Sequence, residues 1–430
     1  MLDLLVIGGG AAGFYGAIHA ARQREGLGVC ILEQQKEFLG KVRISGGGRC
    51  NVTHRPLEPA ELAAHYPRGS KELIGPFYQH ASADVIAFFE GLGVPLKTES
   101  DGRVFPVSDR SESVVAALLG EAGRLGIRML ARHRVTGLGR AEDGSWAVST
   151  TAGNFYSRCL LVCPGGSKRV WEMLRNLGHR IIPPIPSLFT FRVEDPRIEG
   201  LQGISSEAKL EVLPPEPGAE PHPDVHYKRA LRAGGLQAEG PLLFTHWGLS
   251  GPAVLRLSAW GARYLAGTGY QFRLRINWLP EYHKAGVPQL LQQVRQADPS
   301  KSVSGSKAVD LPGRLWKRLV AGAGIDAKAR WAELSHQALR NLAEQLCSFE
   351  VQVNGKSTFK DEFVTAGGVS LREVDFRSFE SKKLPGLYLA GEVLDVDAIT
   401  GGFNFQNAWT GGYLAGLAIA AACGDQPSSK

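Results

Sequence analysis
Leu2–Ile7 is a short apolar run that leads straight into Gly8-Gly9-Gly10-Ala11-Ala12-Gly13. No other feature constrains the fold as strongly. The run predicts a buried strand, and the residues after it predict a helix to about Arg24. Gly8, Gly10 and Gly13 fit G-x-G-x-x-G. Gly8 permits the sharp turn, Gly10 lets a pyrophosphate touch the backbone, and Gly13 lets the helix pack on the strand. With Ala11 and Ala12 at its start, the helix offers unpaired N–H groups and partial positive charge to phosphates. Val29–Leu32 predicts a second strand. It ends in Glu33, 20 residues after Gly13, where a carboxylate holds ribose hydroxyls and repels a 2′-phosphate. The segment therefore predicts a dinucleotide-binding unit for NAD or FAD, with NADP disfavoured.

Two later clusters favour FAD. Leu160–Val162 runs into Cys163-Pro164-Gly165-Gly166, and Leu387–Ala390 runs into Gly391-Glu392. Gly401-Gly402-Phe403-Asn404 then opens a helix-like stretch to about Ala422. Glu392 suits the ribityl chain of a flavin. The helix that follows points its positive end at the pyrimidine edge and favours the anionic reduced ring. Both ends of the chain must then build one nucleotide domain. These clusters account for much of the glycine excess, 53 of 430 residues. Ser45-Gly46-Gly47-Gly48 reads as a concavity for the isoalloxazine face. Asn51 and Asn404 are expected to hold the flavin edge through their amides. Val135 completes the cofactor set. Asp395 and Asp397 are candidates for substrate contacts or for capping.

Ser45-Gly46-Gly47-Gly48-Arg49-Cys50-Asn51-Val52-Thr53 resembles a signature of the bacterial flavoproteins called HI0933-like or BaiN-type. So do Gly102–Ser108, Leu243–Pro252 and Gly391-Glu392-Val393-Leu394-Asp395-Val396-Asp397. The resemblance covers nearly the whole chain. It implies an α/β fold in which a Rossmann-like, glutathione-reductase-type FAD domain is interrupted by a β-barrel, itself interrupted by a small helical unit. The expected segments are 1–187 and 361–430 for the FAD domain, 188–278 and 347–360 for the barrel, and 279–346 for the helical unit. The family places a basic residue near the flavin phosphates or ring, and Lys41 and Arg43 both qualify.

The residues agree with that plan. Ser82–Leu92 and Ser111–Leu125 predict amphipathic helices with Ser caps, and Ile127–Leu138 and Ser145–Ser149 predict strands. Pro183–Pro186 marks a pause. Leu188–Val193, Ala208–Leu213, Leu242–His246, Tyr270–Ile276 and Phe349–Val353 predict further strands, with helical spacing over about 281–346. Ser300–Ser306 reads as a linker between helices.

Hydrophobic residues at 43% rule out a disordered or fibrous chain. The start of the chain has no basic segment like that of a signal peptide, and no apolar run is long enough for a membrane. The six cysteines form no CxxC pair, so a reduced cytoplasmic protein is expected. His222 and His226 sit in a Pro-rich stretch that argues against a metal site. Cys50, beside the Arg49 cation, is the candidate proton donor, with a thiol pKa expected to fall toward 7–8. The alternative for Cys50 is loop packing. Arg49 itself is a candidate for a flavin oxygen or substrate anion, the alternative being a pair with Glu392 or Asp395. His246 reads as structural.

The net charge is +7, and residues 271–345 carry +6 of it through twelve Lys or Arg against six acids. Trp278, Trp316 and Trp331 interleave with these cations. The pattern fits either a solvated helical face or a surface that contacts rRNA phosphates. The leading functional reading is an FAD-dependent reductase that passes hydride from flavin N5 to a conjugated C=C bond. NADH or NADPH docks transiently as donor, since no second complete nucleotide fingerprint occurs. The resemblance allows a small enone or the uridines of ribosomal RNA as substrate, the latter giving a dihydrouridine synthase. It also allows an amine oxidase using O2. A non-enzyme alternative is an RNA- or ribosome-binding protein that holds FAD structurally. The sequence leaves the oligomeric state open, with a monomer compatible.

Overall fold
The computed structural model describes residues 1–214, 236–357 and 364–424. His222 and His226, and the expected boundary at 360/361, lie outside these residues. The chain forms two compact units, one of 1–186 with 360–430 and one of 187–359. Among the described residues no helix is long and apolar enough to cross a membrane.

The first unit is built on a nine-stranded sheet. Its parallel centre runs Leu387–Leu389, Gly153–Val162, Leu2–Ile7, Val29–Leu32, Arg128–Leu130. Leu4, Leu5, Val6, Leu160, Leu161, Leu387 and Leu389 are fully buried. Such continuous apolar runs belong to strands covered on both faces. The last helix, Phe403–Ala422, is buried along most of its length and lies against the first, Ala11–Gln23. The approach is backbone to backbone. A Cβ on Gly412 would lie 2.6 Å from the Ala12 carbonyl oxygen, and one on Gly416 2.5 Å from that of Gly16. Only hydrogen fits at either position.

The sheet also differs from the sequence expectation. Ile127–Leu138 is not one strand but two, Arg128–Leu130 and Val135–Arg140. The backbone reverses at Arg132, whose φ is 60°, and Arg132 and His133 donate to the Gln35 and Glu33 carbonyls. The second strand begins an antiparallel meander through Trp146–Thr150 into Gly153–Val162. Pro183–Pro186 lies in the strand Ile181–Ser187, which pairs with Val364–Val369 in a two-stranded sheet, and the first unit breaks off at Pro186, where the pause was expected. Proline is tolerated there because a short sheet asks for few N–H donors.

A buried aromatic cluster fills the space beside the two packed helices. Tyr15 Oη lies 2.9 Å from His80 Nε2, and the His80 ring stacks on Tyr413 at 4.0 Å. His19 meets the Tyr413 edge at 4.7 Å. Burial lowers the pKa of His19 to about 3 and that of His80 to about 4.

The second unit contains a closed barrel in the order Phe191–Val193, Gly248–Ser250, Leu236–Thr245, Ser205–Val212, Gln271–Asn277, Phe349–Lys356. The three-residue strand Gly248–Ser250 and the helix Pro252–Gly267 have no counterpart in the sequence reading. Helices Val287–Ala297, Gly313–Gly322 and His336–Cys347 also belong to the unit. Trp278, Trp316 and Trp331 are 1%, 3% and 0% exposed, so they form core rather than stacking surfaces between cations. The Trp316 indole donates to the Val303 carbonyl at 2.8 Å and the Trp331 indole to Ser306 Oγ at 3.2 Å. Both bonds pin the serine-rich linker to the helices.

Two outcomes follow for stability. Gly416→Val forces the terminal helices apart and costs about 3 kcal/mol or more. Gly120→Ala, in the open middle of the helix Ser111–Arg124, gains up to about 1 kcal/mol. Equal denaturation midpoints for the two variants would contradict the close approach. The histidine cluster sets a pH dependence. An unfolded imidazole takes a proton below about pH 6.5, while the folded pair resists protonation. Stability is therefore lost as pH falls from about 6.5 toward 4 and then 3. Urea midpoints that hold level between pH 7 and pH 5 would refute it.

Candidate cofactor and active site
At the N-terminal end of the chain the glycine turn is as tight as its motif demands. A Cβ on Gly13 would lie 2.0 Å from the Gly8 carbonyl oxygen, so helix and turn are in contact. Gly10 caps the helix with open space on its Cα, leaving room for a ligand at the first turn. Glu33 Oε2 accepts from the Gly9 amide at 2.9 Å and Oε1 from the Gln35 amide at 2.8 Å. Its carboxylate is thus fixed at the rim of the glycine turn. Gly8, Glu33, Val135, Pro164 and Arg169 line one small cleft. These residues fit the adenosine and pyrophosphate half of a dinucleotide.

The other half draws on both chain ends. Gly165 and Gly166 face the Glu392 carboxylate, which lies 3.4 Å from the position of either Cβ. Glu392 Oε1 accepts from the Thr365 amide at 2.9 Å, and Oε2 pairs with Lys41. Arg43 turns elsewhere, to Glu112 and, at 3.9 Å, Glu37. Of the two basic candidates, Lys41 is the one beside Gly165 and Glu392.

The helix Gly40–Gly48 breaks at Ser45, where ψ is 150°. Gly46, Gly47 and Gly48 follow at φ 58°, 68° and 85°, a left-handed run that turns the chain toward Cys50. Gly46 packs against Phe105 and the Asn51 amide, while Gly47 and Gly48 face open space. That leaves an uncovered glycine surface, suited to the face of a planar ring.

Several expected contacts fall differently. Cys50 is 0% exposed, and burial pushes its thiol up to about 12 rather than down toward 7–8. The Arg49 guanidinium lies 4.0 Å over the Phe105 ring and pairs with Glu99 at 2.7 Å and Asp109 at 3.6 Å, not with Glu392 or Asp395. Glu99 and Asp109 also draw it away from the thiol. The Asn51 amide accepts from the Gly402 N–H at 2.9 Å and donates to the Thr53 carbonyl at 2.9 Å. Asn404 brackets Ala398, accepting from its N–H and donating to its carbonyl, both at 3.0 Å. Both amides hold the loop through these bonds. Asp397 is fully buried in a two-pronged pair with Arg68, which accounts for it better than a substrate contact or a cap.

The segment His65–Arg68 was not foreseen. Tyr66 Oη donates to the Phe403 carbonyl at 2.5 Å, and the His65 carbonyl accepts from the Ile399 amide at 3.1 Å. The His65 and His54 rings stack on Phe403 at 4.2 and 4.8 Å. A His-Tyr-Pro-Arg string between two helical stretches was the available signal. Sequence spacing alone does not join it to a loop some 330 residues away.

A Rossmann sheet, a glycine cradle for a dinucleotide and a second glycine surface for a ring define an FAD-dependent oxidoreductase. The chain matches the HI0933-like protein Rossmann domain over residues 2–418 and belongs to that family. It is 29% identical over 428 residues to the ribosomal RNA dihydrouridine synthase of Escherichia coli K12, covering 98% of each chain. It is 28% identical over 423 residues to the 3-dehydro-bile acid delta(4,6)-reductase of Clostridium scindens, covering 96% of this chain and 98% of that one. A solved 3-ketosteroid-delta4-(5alpha)-dehydrogenase from Rhodococcus jostii RHA1 aligns over 97% of this chain and 96% of its own, with 14% identity and a TM-score of 0.49.

The buried Arg68–Asp397 pair gives a direct expectation. Arg68→Ala removes the cation paired with a carboxylate that is 0% exposed, and costs about 3–5 kcal/mol. A loss below about 1 kcal/mol in urea denaturation would show that the pair does not hold this loop.

Proposed function
We propose that this protein reduces a conjugated C=C bond with electrons from NADH or NADPH. The observation that carries the reading is the full-length likeness to two relatives whose names describe one chemical change on different substrates. The C5=C6 bond of uracil and the ring double bonds of an oxo-bile acid are both conjugated to a carbonyl. A bound flavin supplies hydride for such a bond.

The chain's own residues do the rest. The turn Gly8–Gly13 and the N–H groups at Ala11 and Ala12 would hold the pyrophosphate, and Glu33 the ribose. Glu392 with Lys41 would hold the ribityl region, next to Gly165 and Gly166. The N-terminus of Phe403–Ala422, entered through Gly401 and Gly402, presents its positive end where negative charge gathers on reduction. The sequence has one complete nucleotide fingerprint, so the nicotinamide donor visits and leaves.

Ribosomal RNA as the substrate is favoured by one surface observation. Arg314, Lys317 and Arg318 are exposed on the helix Gly313–Gly322, opposite the buried Leu315, Trp316, Leu319 and Val320. Of the other cations, Arg275 pairs with Glu211 and Glu350, Arg273 lies 3.9 Å from Glu350, and Lys301 pairs with Asp298, while Lys307, Lys328, Arg330 and Arg340 are also exposed. These exposed cations of residues 271–345 support a polyanion surface, since phosphate contacts ask for accessible positive charge.

Anaerobic mixing tests both levels. NADPH or NADH bleaches the flavin, and an acceptor with a conjugated C=C restores its colour. Recovery with unmodified rRNA, and a product heavier by about 2 Da for the two hydrogens added, assigns the RNA substrate; recovery with an oxo-steroid enone alone assigns a small one. A flavin that stays oxidised with both nicotinamides, or is reduced by amines and reoxidised only by O2, overturns the proposal.

A further inference from the structure
Reduction of a C=C bond needs a proton as well as a hydride. The obvious carriers in the flavin-side loops are occupied: Cys50 is sealed, Asp397 is paired with Arg68, and Glu392 with Lys41. Two imidazoles share one platform instead. The His65 ring lies 4.2 Å from that of Phe403 at 18°, and the His54 ring 4.8 Å from it at 19°. Phe403 is the first residue of the terminal helix, the end assigned above to the flavin pyrimidine edge.

His65 is held in a defined state. Its Nδ1 lies 2.9 Å from the Glu61 carbonyl oxygen. A carbonyl only accepts, so Nδ1 carries the hydrogen and Nε2 is the nitrogen that takes up and releases a proton. The surrounding backbone is tied to residues 397–403 through the Ile399 amide, the Tyr66 hydroxyl and the Arg68–Asp397 pair. The side chain is partly exposed, which gives solvent a route to refill it. Other charged or titratable groups around the pair are Glu61 on the helix Pro59–Ala63 just before His65, Arg55 and Asp101 beside His54, and the Arg68–Asp397 pair. The His54 pKa is lowered, chiefly by burial, which disfavours a second positive charge on the platform.

We propose that His65 delivers the proton that accompanies hydride transfer to the substrate, its ring held for that role by Phe403 and the Glu61 carbonyl. The inference rests on the C=C reading above. The substrate π bond breaks as two C–H bonds form. Hydride, with two electrons that originate in the nicotinamide donor, goes to the β-carbon. The proton goes from Nε2 to the α-carbon, leaving a neutral imidazole that water reprotonates.

The test uses the full chain loaded with FAD and labelled with ¹³C-histidine, titrated by NMR before and after dithionite reduction. The His65 signal is assigned by its loss in His65→Gln. An anionic reduced ring nearby favours the imidazolium, so the midpoint rises by about one unit or more on reduction. A midpoint that is the same in both states overturns the inference, because a residue that merely packs on Phe403 does not sense the redox state. In stopped flow with 4-androstene-3,17-dione as acceptor, His65→Gln is reduced by NADPH at the wild-type rate and reoxidised about 100-fold more slowly. Equal reoxidation rates likewise overturn the inference. If the His65 midpoint shifts but reduced wild type transfers to neither this enone nor unmodified rRNA, the proton site stands and the C=C reading falls.

Discussion

The backbone contact between the first and last helices is the constraint on which the first unit depends. Gly412 and Gly416 lay their Cα atoms on the carbonyls of Ala12 and Gly16, closer than any side chain allows. That contact fixes the start of one helix, which follows the Gly8–Gly13 turn, relative to the start of the other, which follows Gly401 and Gly402. It also seats Leu387–Leu389 beside Gly153–Val162 in the sheet, so Glu392 emerges next to Gly165 and Gly166. A cofactor cradle assembled from residues nearly 400 positions apart needs a joint that does not slide, and backbone in direct contact has little freedom to do so.

Charge is managed in the same spirit around that cradle. Three acids in the loops are matched by cations from distant segments: Glu392 by Lys41, Asp397 by Arg68, Glu99 by Arg49. The pairs differ in burial, and so in consequence. Lys41 is 60% exposed, and its pair contributes little to stability. Asp397 is completely buried, and its pair with Arg68 locks the loop that precedes the terminal helix. Near that helix two imidazoles, His54 and His65, stack on the ring that opens it.

Much of this was legible in the chain. The strand, glycine, helix and acid of the first 33 residues follow one another in an order that local physics dictates, and the structure places them as expected. Five of the six barrel strands were visible as apolar alternation. The misses have specific causes. Gly248–Ser250 is too short to show a period. The reversal at Arg132 carries neither Gly nor Pro to announce it. Cys50 looked like an activated thiol because its neighbour in sequence is a cation, but that cation faces Phe105 and Glu99, and burial dominates. Trp278, Trp316 and Trp331 looked like partners of the basic residues because helical spacing alternates core with surface. The tryptophans took the core positions, and Arg314, Lys317 and Arg318 the outer ones. The Arg68–Asp397 and His65–Phe403 contacts were invisible because nothing local links their partners.

The account rests on one claim: the two ends of the chain build a single FAD site whose ring lies between the Ser45–Gly48 surface and the start of the last helix. A crystal structure of the FAD-loaded protein tests it most directly. The account predicts the pyrophosphate at the first turn of Ala11–Gln23, the ribityl chain at Glu392 and the pyrimidine edge at the Gly402–Phe403 backbone. A flavin ring seated away from Gly402 and Phe403, or a ribityl chain that leaves Glu392 on Lys41 and out of reach, would contradict it.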